Sequence, residues 1–336
     1  MDQEEKLAYM SGLMDGDGSF TLARRTNKKG INLLYYPLIQ MGSLKKDTLE
    51  IIQKKFGGRI HLKKSHLKKD GSLRRDFYRW RIEKSAFCIP FLEKIIPSLE
   101  IKKDRAQFLL DFIKRNPFKR GVVLEKDILL SRQSDYIKMK EFNDERSFKR
   151  PLIKQSKKFT DDNLFWAYFA GLLDTDGSFS IKKETGRRYT GQILLSMTDI
   201  RGINKIRKNC PCGTVFLVNA ETTKLGACYR YGIYRREEII NILPKIIPFL
   251  TNKKNQAEML LNFCENQKII LHRRAGMPKE ELIFRETCYQ HMMHLNKYGV
   301  LKPTLIDLEA RQGDRAEGES HGERLSEMAT KVDAIV

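Results

Sequence analysis

No stretch of the 336-residue chain approaches the roughly 18 consecutive apolar residues that a membrane-spanning helix needs. The opening, MDQEEKLAYM, is acidic where a signal or transit peptide would be basic, so no targeting signal and no membrane partner are expected. Cysteine is sparse and ungrouped: Cys88, Cys210, Cys212, Cys228, Cys264 and Cys288 form no C-x-x-C pair, and Cys210-Pro211-Cys212 has no second half to complete a zinc site. Free thiols in a reducing compartment are expected. His291 and His294 could share a helical face, but with no partner cluster they read as helix surface. Acidic residues are in deficit, 42 Asp+Glu against 63 Lys+Arg, for a net charge of +21. They also gather at the end of the chain, where Glu309 to Val336 holds 7 acidic and 4 basic residues. The remainder is therefore more basic still, which points to a polyanion. Nucleic acid leads, because each Lys or Arg that neutralises a phosphate releases counterions.

What the chain has is a repeat. SGLMDGDGSF (Ser11 to Phe20) returns as AGLLDTDGSF (Ala170 to Phe179), YRWRI (Tyr78 to Ile82) as YRYGI (Tyr229 to Ile233), and EKIIPSLEIKKDRAQFLLDF (Glu93 to Phe112) as PKIIPFLTNKKNQAEMLLNF (Pro244 to Phe263). Tyr78 and Lys102 recur 151 residues on, at Tyr229 and Lys253, whereas Asp17 recurs 159 residues on, at Asp176. The extra length in the first half is assigned to the Lys-rich KKSHLKKDGSLRR between two strands. Self-similarity of this extent implies two like folds about a pseudo-two-fold axis.

Within each half the period separates the elements. EEKLAYMSGLMD reads as a helix, and SFTLAR and SFSIKK alternate as half-buried strands. Phe20, Leu22, Phe179 and Ile181 take the buried face, leaving Ser19, Thr21, Ala23 and Arg25, and Ser178, Ser180 and Lys182, on the other. A second strand (LLYYPLIQM; GQILLSM), a helix ending in glycine, two more strands and a third helix follow. On the last strand Arg79 and Arg81 oppose Tyr78, Trp80 and Ile82 in parity, and Arg230 matches Arg79. The expected fold class is α+β: two pseudo-symmetric αββαββα halves, with antiparallel sheets forming a basic, DNA-binding saddle and helices on the opposite face. The boundaries expected are 1–147 and 160–302 for the halves, 148–159 for a basic linker, and 303–336 for a tail whose ERLSEMATKVDAIV suits either a short helix or disorder.

Ala8, Ser11, Gly12 and Asp15 share one side of the first helix, as do Ala167, Ala170, Gly171 and Asp174 on its counterpart. Small residues at that spacing let two helix backbones approach closely across the pseudo-two-fold. The chain leaves each helix through Gly16 or Thr175, which places Asp17 and Asp176 just beyond the two C-terminal ends, near each other. Two carboxylates at two negative dipole ends repel unless a cation lies between them. Oxygen ligands favour Mg²⁺, with Mn²⁺ or Ca²⁺ as substitutes, and on a basic sheet the substrate oxygens in reach of such an ion are phosphates. An EF-hand is excluded: counting from Asp15, position six is Phe20 and position twelve is Thr26.

The two strings, with the repeat around them from about Lys6 to Lys302, resemble the paired motifs of single-chain LAGLIDADG homing endonucleases. The resemblance implies that Asp17 and Asp176 are metal-binding catalytic acids aided by the carbonyls of Gly16 and Thr175, and that Lys102 and Lys253 are the family's lysines near the third helix, with a phosphate or transition-state role. It further implies an intron-encoded enzyme that cuts both strands of a long asymmetric double-stranded DNA site across the minor groove, leaving short 3′ overhangs. A gapless comparison puts Met41 and Met197 where the family often has a polar residue, leaving Gln40, Ser43, Ser196 or Asp199 as substitutes. Lys45 and Arg201 are read as matching basic positions that hold water or phosphate.

The alternative is a maturase of the same family, a splicing cofactor that binds its host intron RNA; retention of both acids favours the nuclease, since RNA binding makes no demand on them. An intein-embedded form is disfavoured by the ends of the chain, which lack the splicing residues. The expected state is a monomer, working in a chloroplast or mitochondrion if the source is eukaryotic and in the cytoplasm otherwise.

Overall fold

The structure, a computed structural model, describes residues 1–26, 33–64, 76–117, 125–144, 161–185, 188–219, 227–268 and 277–298. The expected linker at 148–159, the tail at 303–336 and most of the Lys-rich segment lie outside the described residues.

The N-terminal half runs α1 (Gln3–Gly16), β1 (Gly18–Thr26), β2 (Leu33–Ser43), α2 (Lys46–Phe56), β3 (Arg59–Lys63), β4 (Phe77–Ile82), α3 (Ser85–Ile95), α4 (Lys103–Arg115) and α5 (Lys126–Asp144). The C-terminal half repeats it as α6 (Asp162–Asp176), β5 (Gly177–Glu184), β6 (Arg188–Met197), α7 (Ile200–Asn209), β7 (Thr214–Asn219), β8 (Cys228–Ile233), α8 (Arg236–Ile246), α9 (Lys254–Asn266) and α10 (Lys279–Tyr298). Two antiparallel four-stranded sheets result, ordered β1-β2-β4-β3 and β5-β6-β8-β7. Strand parity settles as expected. Phe20, Leu22, Ile39, Met41, Trp80 and Ile82, with Phe179, Ile181, Ile193, Leu195, Tyr231 and Ile233, are all buried beneath the helices. Each such side chain contributes about 1.5–3 kcal/mol on leaving water.

Two expectations need correction. The third helix of each half is two helices, and another follows. Between α3 and α4 the chain makes a 3-10 turn, Ile96–Ser98, where Pro97 supplies no N–H to continue the α-helical ladder and Leu99 then turns extended. The extra length of the first half is also divided between two connections. Phe20 pairs with Ile39, 19 positions on, but Phe179 with Ile193, 14 on; Ile60 pairs with Trp80, 20 on, but Val215 with Tyr231, 16 on.

α1 starts on a capping box, with Asp2 accepting from the Glu5 N–H and Glu5 from the Asp2 N–H. α6 starts on Asp161, which accepts from the Asn163 N–H. From Ala8 to Asp15 and from Phe165 to Asp174 every residue is buried, because these two helices pack on each other between the sheets. They touch backbone to backbone: a Cβ added to Gly12 would lie 2.1 Å from the Tyr168 carbonyl oxygen, and one added to Gly171 would lie 2.2 Å from that of Tyr9. The small face read from sequence does what was expected of it.

Candidate active site at the ends of two helices

The crossing of α1 and α6 delivers their C-terminal ends to one place. A Cβ on Gly16 would meet Thr175 Oγ1 at 2.0 Å and Asp176 Oδ2 at 3.3 Å, so the two chain exits are in contact. Asp17 caps α1, its N–H donating to the Leu13 carbonyl at 3.0 Å, and Asp176 is the last residue of α6 rather than the first beyond it. Both carboxylates reach solvent. Both are held above the ordinary carboxylate range, chiefly because the surrounding protein strips water from the charged form. Asp17 adds repulsion to Asp176, and the ammonium groups of Lys102 and Lys253 partly offset these effects at both acids.

The two lysines lie where the repeat puts them, at the N-caps of α4 and α9, but their charges act elsewhere. Lys102 Nζ donates to the carbonyls of Met14 (3.1 Å), Gly16 (2.6 Å) and Gly18 (2.7 Å). Lys253 Nζ donates to Leu173 (2.8 Å), Thr175 (2.9 Å) and Gly177 (2.6 Å). Each cation therefore does not oppose the dipole of its own helix. It satisfies the orphan carbonyls at the negative end of α1 or α6, where a cation is favoured. Burial outweighs the neighbouring carboxylates and pulls Lys102 down to about 8; Lys253 is lowered for the same reason.

The donor set fits a hard divalent cation. Among the described residues no cluster of three or more His, Cys, Asp or Glu could hold a metal unaided. Two converging carboxylates and carbonyls aimed at the same exit, already drawing ammonium groups, make an oxygen-lined, cation-seeking site that water and substrate phosphate could complete.

Asp15 and Asp174 were read only as part of the small helix face, and the structure gives them more to do. Asp15 is buried and accepts from the N–H groups of Glu100 (2.8 Å), Ile101 (3.1 Å) and Lys102 (2.8 Å), and from the hydroxyl of Tyr168 on the other half's helix at 2.9 Å. Asp174 accepts from the N–H groups of Thr251 (2.7 Å), Asn252 (3.1 Å) and Lys253 (2.8 Å), and from the Tyr9 hydroxyl at 2.7 Å. Each carboxylate thus pins the backbone carrying one lysine to the opposite half. Burial raises Asp15 despite these donors, and burial beside a carboxylate holds Tyr9 and Tyr168 protonated as donors. The signal available in sequence was a carboxylate repeated on a face otherwise built of small residues, since such a group must find donors when buried.

The open faces of the sheets carry the remaining candidates. Ser19 and Thr21 are half-buried and Arg25 is exposed, its guanidinium 5.3 Å from the Tyr36 ring centre. Ser178 and Lys182 are exposed; Ser180 Oγ accepts from Gln192 at 2.9 Å, and Lys182 lies 3.6 Å from Glu184. Arg79 sits over the Phe77 ring at 5.4 Å, Arg81 pairs with Glu83, and Arg230 donates to Ser196 Oγ at 3.1 Å. Ser19, Gln40, Arg81 and Arg59 form one cross-strand row. The equivalent row is Ser178, Leu194, Gly232 and Thr214.

The register also corrects the gapless comparison. Gly18 pairs with Met41 and Gly177 with Leu195, so Met41 corresponds to Leu195 and not to Met197. Met41 and Met197 are both buried. Gln40 stands on the open face, the Ser43 hydroxyl accepts from the Lys45 N–H, and Asp199 caps α7. Lys45 and Arg201 are not at equivalent positions, and neither is free for phosphate. Lys45 Nζ donates to the Asn252 carbonyl at 2.5 Å. Arg201 bonds the Ile101 carbonyl at 3.3 Å and Asp199 at 2.5 Å, and lies 3.8 Å from Asp104. Both bind across the pseudo-two-fold, to the backbone just before α9 and α4.

No family model matches the chain, and neither does any curated protein. Solved structures do. The LAGLIDADG homing endonuclease I-GzeII in complex with its DNA target superposes with a TM-score of 0.61 at 15% identity, covering 85% of this chain and 97% of that one. I-SmaMI bound to uncleaved DNA target in the presence of calcium ions gives 0.59 at 17% identity, covering 85% and 98%. I-SmaMI bound to cleaved DNA gives 0.53 at 18% identity, covering 85% and 96%. At these identities the likeness establishes the fold: two pseudo-repeated α+β halves arranged as in LAGLIDADG homing endonucleases.

Proposed function

We propose that the chain is a site-specific DNA endonuclease that breaks both strands by divalent-metal-dependent phosphodiester hydrolysis, with Mg²⁺ as the natural ion. The observation that carries this reading is the meeting of Asp17 and Asp176 at the joined ends of α1 and α6, between two sheets whose open faces bear Arg79, Arg81 and Arg230. The solved neighbours of the same fold, named as DNA-bound endonucleases, agree with it. Both carboxylates come from one chain, so a monomer suffices for two cuts.

Asp17, Asp176 and the Gly16 and Thr175 carbonyls would hold the ion, which when bound supplies an activated water and charge neutralisation at the leaving oxygen. The strand-face arginines hold the phosphate backbone, and the close helix crossing keeps the two acids at fixed separation. Lys102 and Lys253, lodged on the Gly16 and Thr175 carbonyls, would add two positive charges near the acids to offset the charge that develops on the phosphoryl oxygens. That the enzyme is intron-borne rests on the resemblance of its motifs alone and is tested by the sequence flanking its gene.

Incubation with randomised duplex DNA and Mg²⁺, followed by sequencing of the cut ends, tests the activity; paired breaks at one long site are expected. With that site in hand, chelation should abolish cutting while binding persists and weakens steeply as salt rises. Unimpaired cleavage in excess EDTA removes the metal from the mechanism. Absence of cutting with Mg²⁺ or Mn²⁺ on every duplex removes the nuclease reading.

A further inference from the structure

The turn from α7 into β7 holds a pair of thiols that the nuclease reading does not use. Cys210 follows the last residue of α7 and is buried; Cys212, two residues on, is half-buried, and Gly213 at φ +77° turns the chain into the strand. The two sulfurs lie 3.0 Å apart. The Tyr231 hydroxyl, from β8, bonds both carbonyls, at 2.9 Å to Cys210 and 2.6 Å to Cys212, and lies 3.8 Å from Cys212 Sγ. The backbone is therefore held so that the thiols face each other across Pro211.

We propose that Cys210 and Cys212 form a reversible dithiol–disulfide couple that exchanges with small disulfides, Cys212 attacking and Cys210 resolving. The Cys212 thiolate attacks one sulfur of a small disulfide; that bond breaks, and the expelled thiolate takes up a proton. The Cys210 thiol then loses its proton and its sulfur attacks Cys212 Sγ, expelling the second small thiolate, which is protonated in turn. Two protein thiols are oxidised to one disulfide as one small disulfide is reduced to two thiols, and excess small thiol reverses the exchange.

The division of roles follows from the environment. Cys212 is half-buried and meets an incoming disulfide first, whereas Cys210 is buried behind it; a hydrogen bond between the two sulfurs lowers the Cys212 thiol, against burial and the Glu238 carboxylate. The same bond, with burial, raises Cys210 and keeps it protonated until Cys212 is occupied. Cys88 and Cys264 are buried thiols without a sulfur partner among the described residues, pushed up to about 12, and serve as internal controls.

The test is independent of cleavage. The full chain is equilibrated with oxidised glutathione near neutral pH, unfolded in guanidinium containing N-ethylmaleimide so that every free thiol is reached, and digested with trypsin. The peptide from Asn209 to Lys224 contains only these two cysteines. It should lack two hydrogens and gain maleimide only after reduction, while the Cys88 and Cys264 peptides are alkylated directly. Cys210→Ser should trap glutathione on Cys212, and Cys212→Ser should leave Cys210 reduced. A wild-type peptide that stays dithiol under these conditions, or a Cys210→Ser protein that takes no more glutathione than Cys88 does, overturns the proposal.

Discussion

The two halves agree where the chain is buried and diverge where it meets solvent. At the joined helix ends the correspondence is nearly atom for atom: each lysine satisfies three carbonyls, each inner aspartate accepts three N–H groups, and each takes a tyrosine hydroxyl from the other half. On the open sheets it fails. The first half presents Gln40, Arg81 and Arg59 where the second presents Leu194, Gly232 and Thr214. A buried polar network tolerates no missing partner, so both copies keep it; an open sheet face carries no such requirement and is free to differ.

The comparison breaks most sharply at the acids. Asp17→Asn and Asp176→Asn should each lower cleavage by roughly 100-fold or more, the scale of losing one charged group at a reacting centre, with DNA binding retained. If an ion is shared across the pseudo-two-fold, as the contact between the two helix ends favours, neither variant accumulates nicked plasmid. Clean nicking by both would show that the half-sites act independently.

The helix crossing comes next. Gly12→Val and Gly171→Val each drive a side chain into a facing carbonyl and should cost about 3 kcal/mol of stability, nearly equally, given contacts at 2.1 and 2.2 Å. Denaturant midpoints that differ widely between the two would show that the crossing is less symmetric than the backbone indicates.

Asp15→Asn and Asp174→Asn turn an amide donor toward three N–H donors and should cost about 2 kcal/mol; Tyr168→Phe and Tyr9→Phe, which remove one donor each, should cost about 1.5. The expected signature is strong coupling in a double-mutant cycle between Asp15 and Tyr168, with the same value for Asp174 and Tyr9. Simple additivity in thermal melts contradicts the pinning of one half by the other.

The smallest effects belong to the asymmetric surface. Arg79→Ala and Arg230→Ala should each weaken binding by about 1 kcal/mol, and by up to about 3 where an arginine reads a base. Because the rows around them differ, the loss should depend on sequence in opposite arms of the target. Titration against targets altered in one arm at a time measures this; wild-type affinity in both variants would mean that these faces do not contact DNA.

Strand parity, the small helix faces and the placing of Asp17 and Asp176 at the C-terminal ends of α1 and α6 were determined by sequence alone. Their causes lie within a few residues: side-chain alternation of two, helical spacing of three and four, a turn beside its helix. The partners of Asp15, the reach of Lys102 to the far end of α1, the bonds of Lys45 and Arg201 across the halves, and the pairing of Met41's place with Leu195 were decided only by tertiary structure. These contacts join groups more than 80 residues apart. Their geometry depends on loop lengths that differ between the halves, and on the requirement that every buried charge find a donor or a counter-ion wherever the chain brings one.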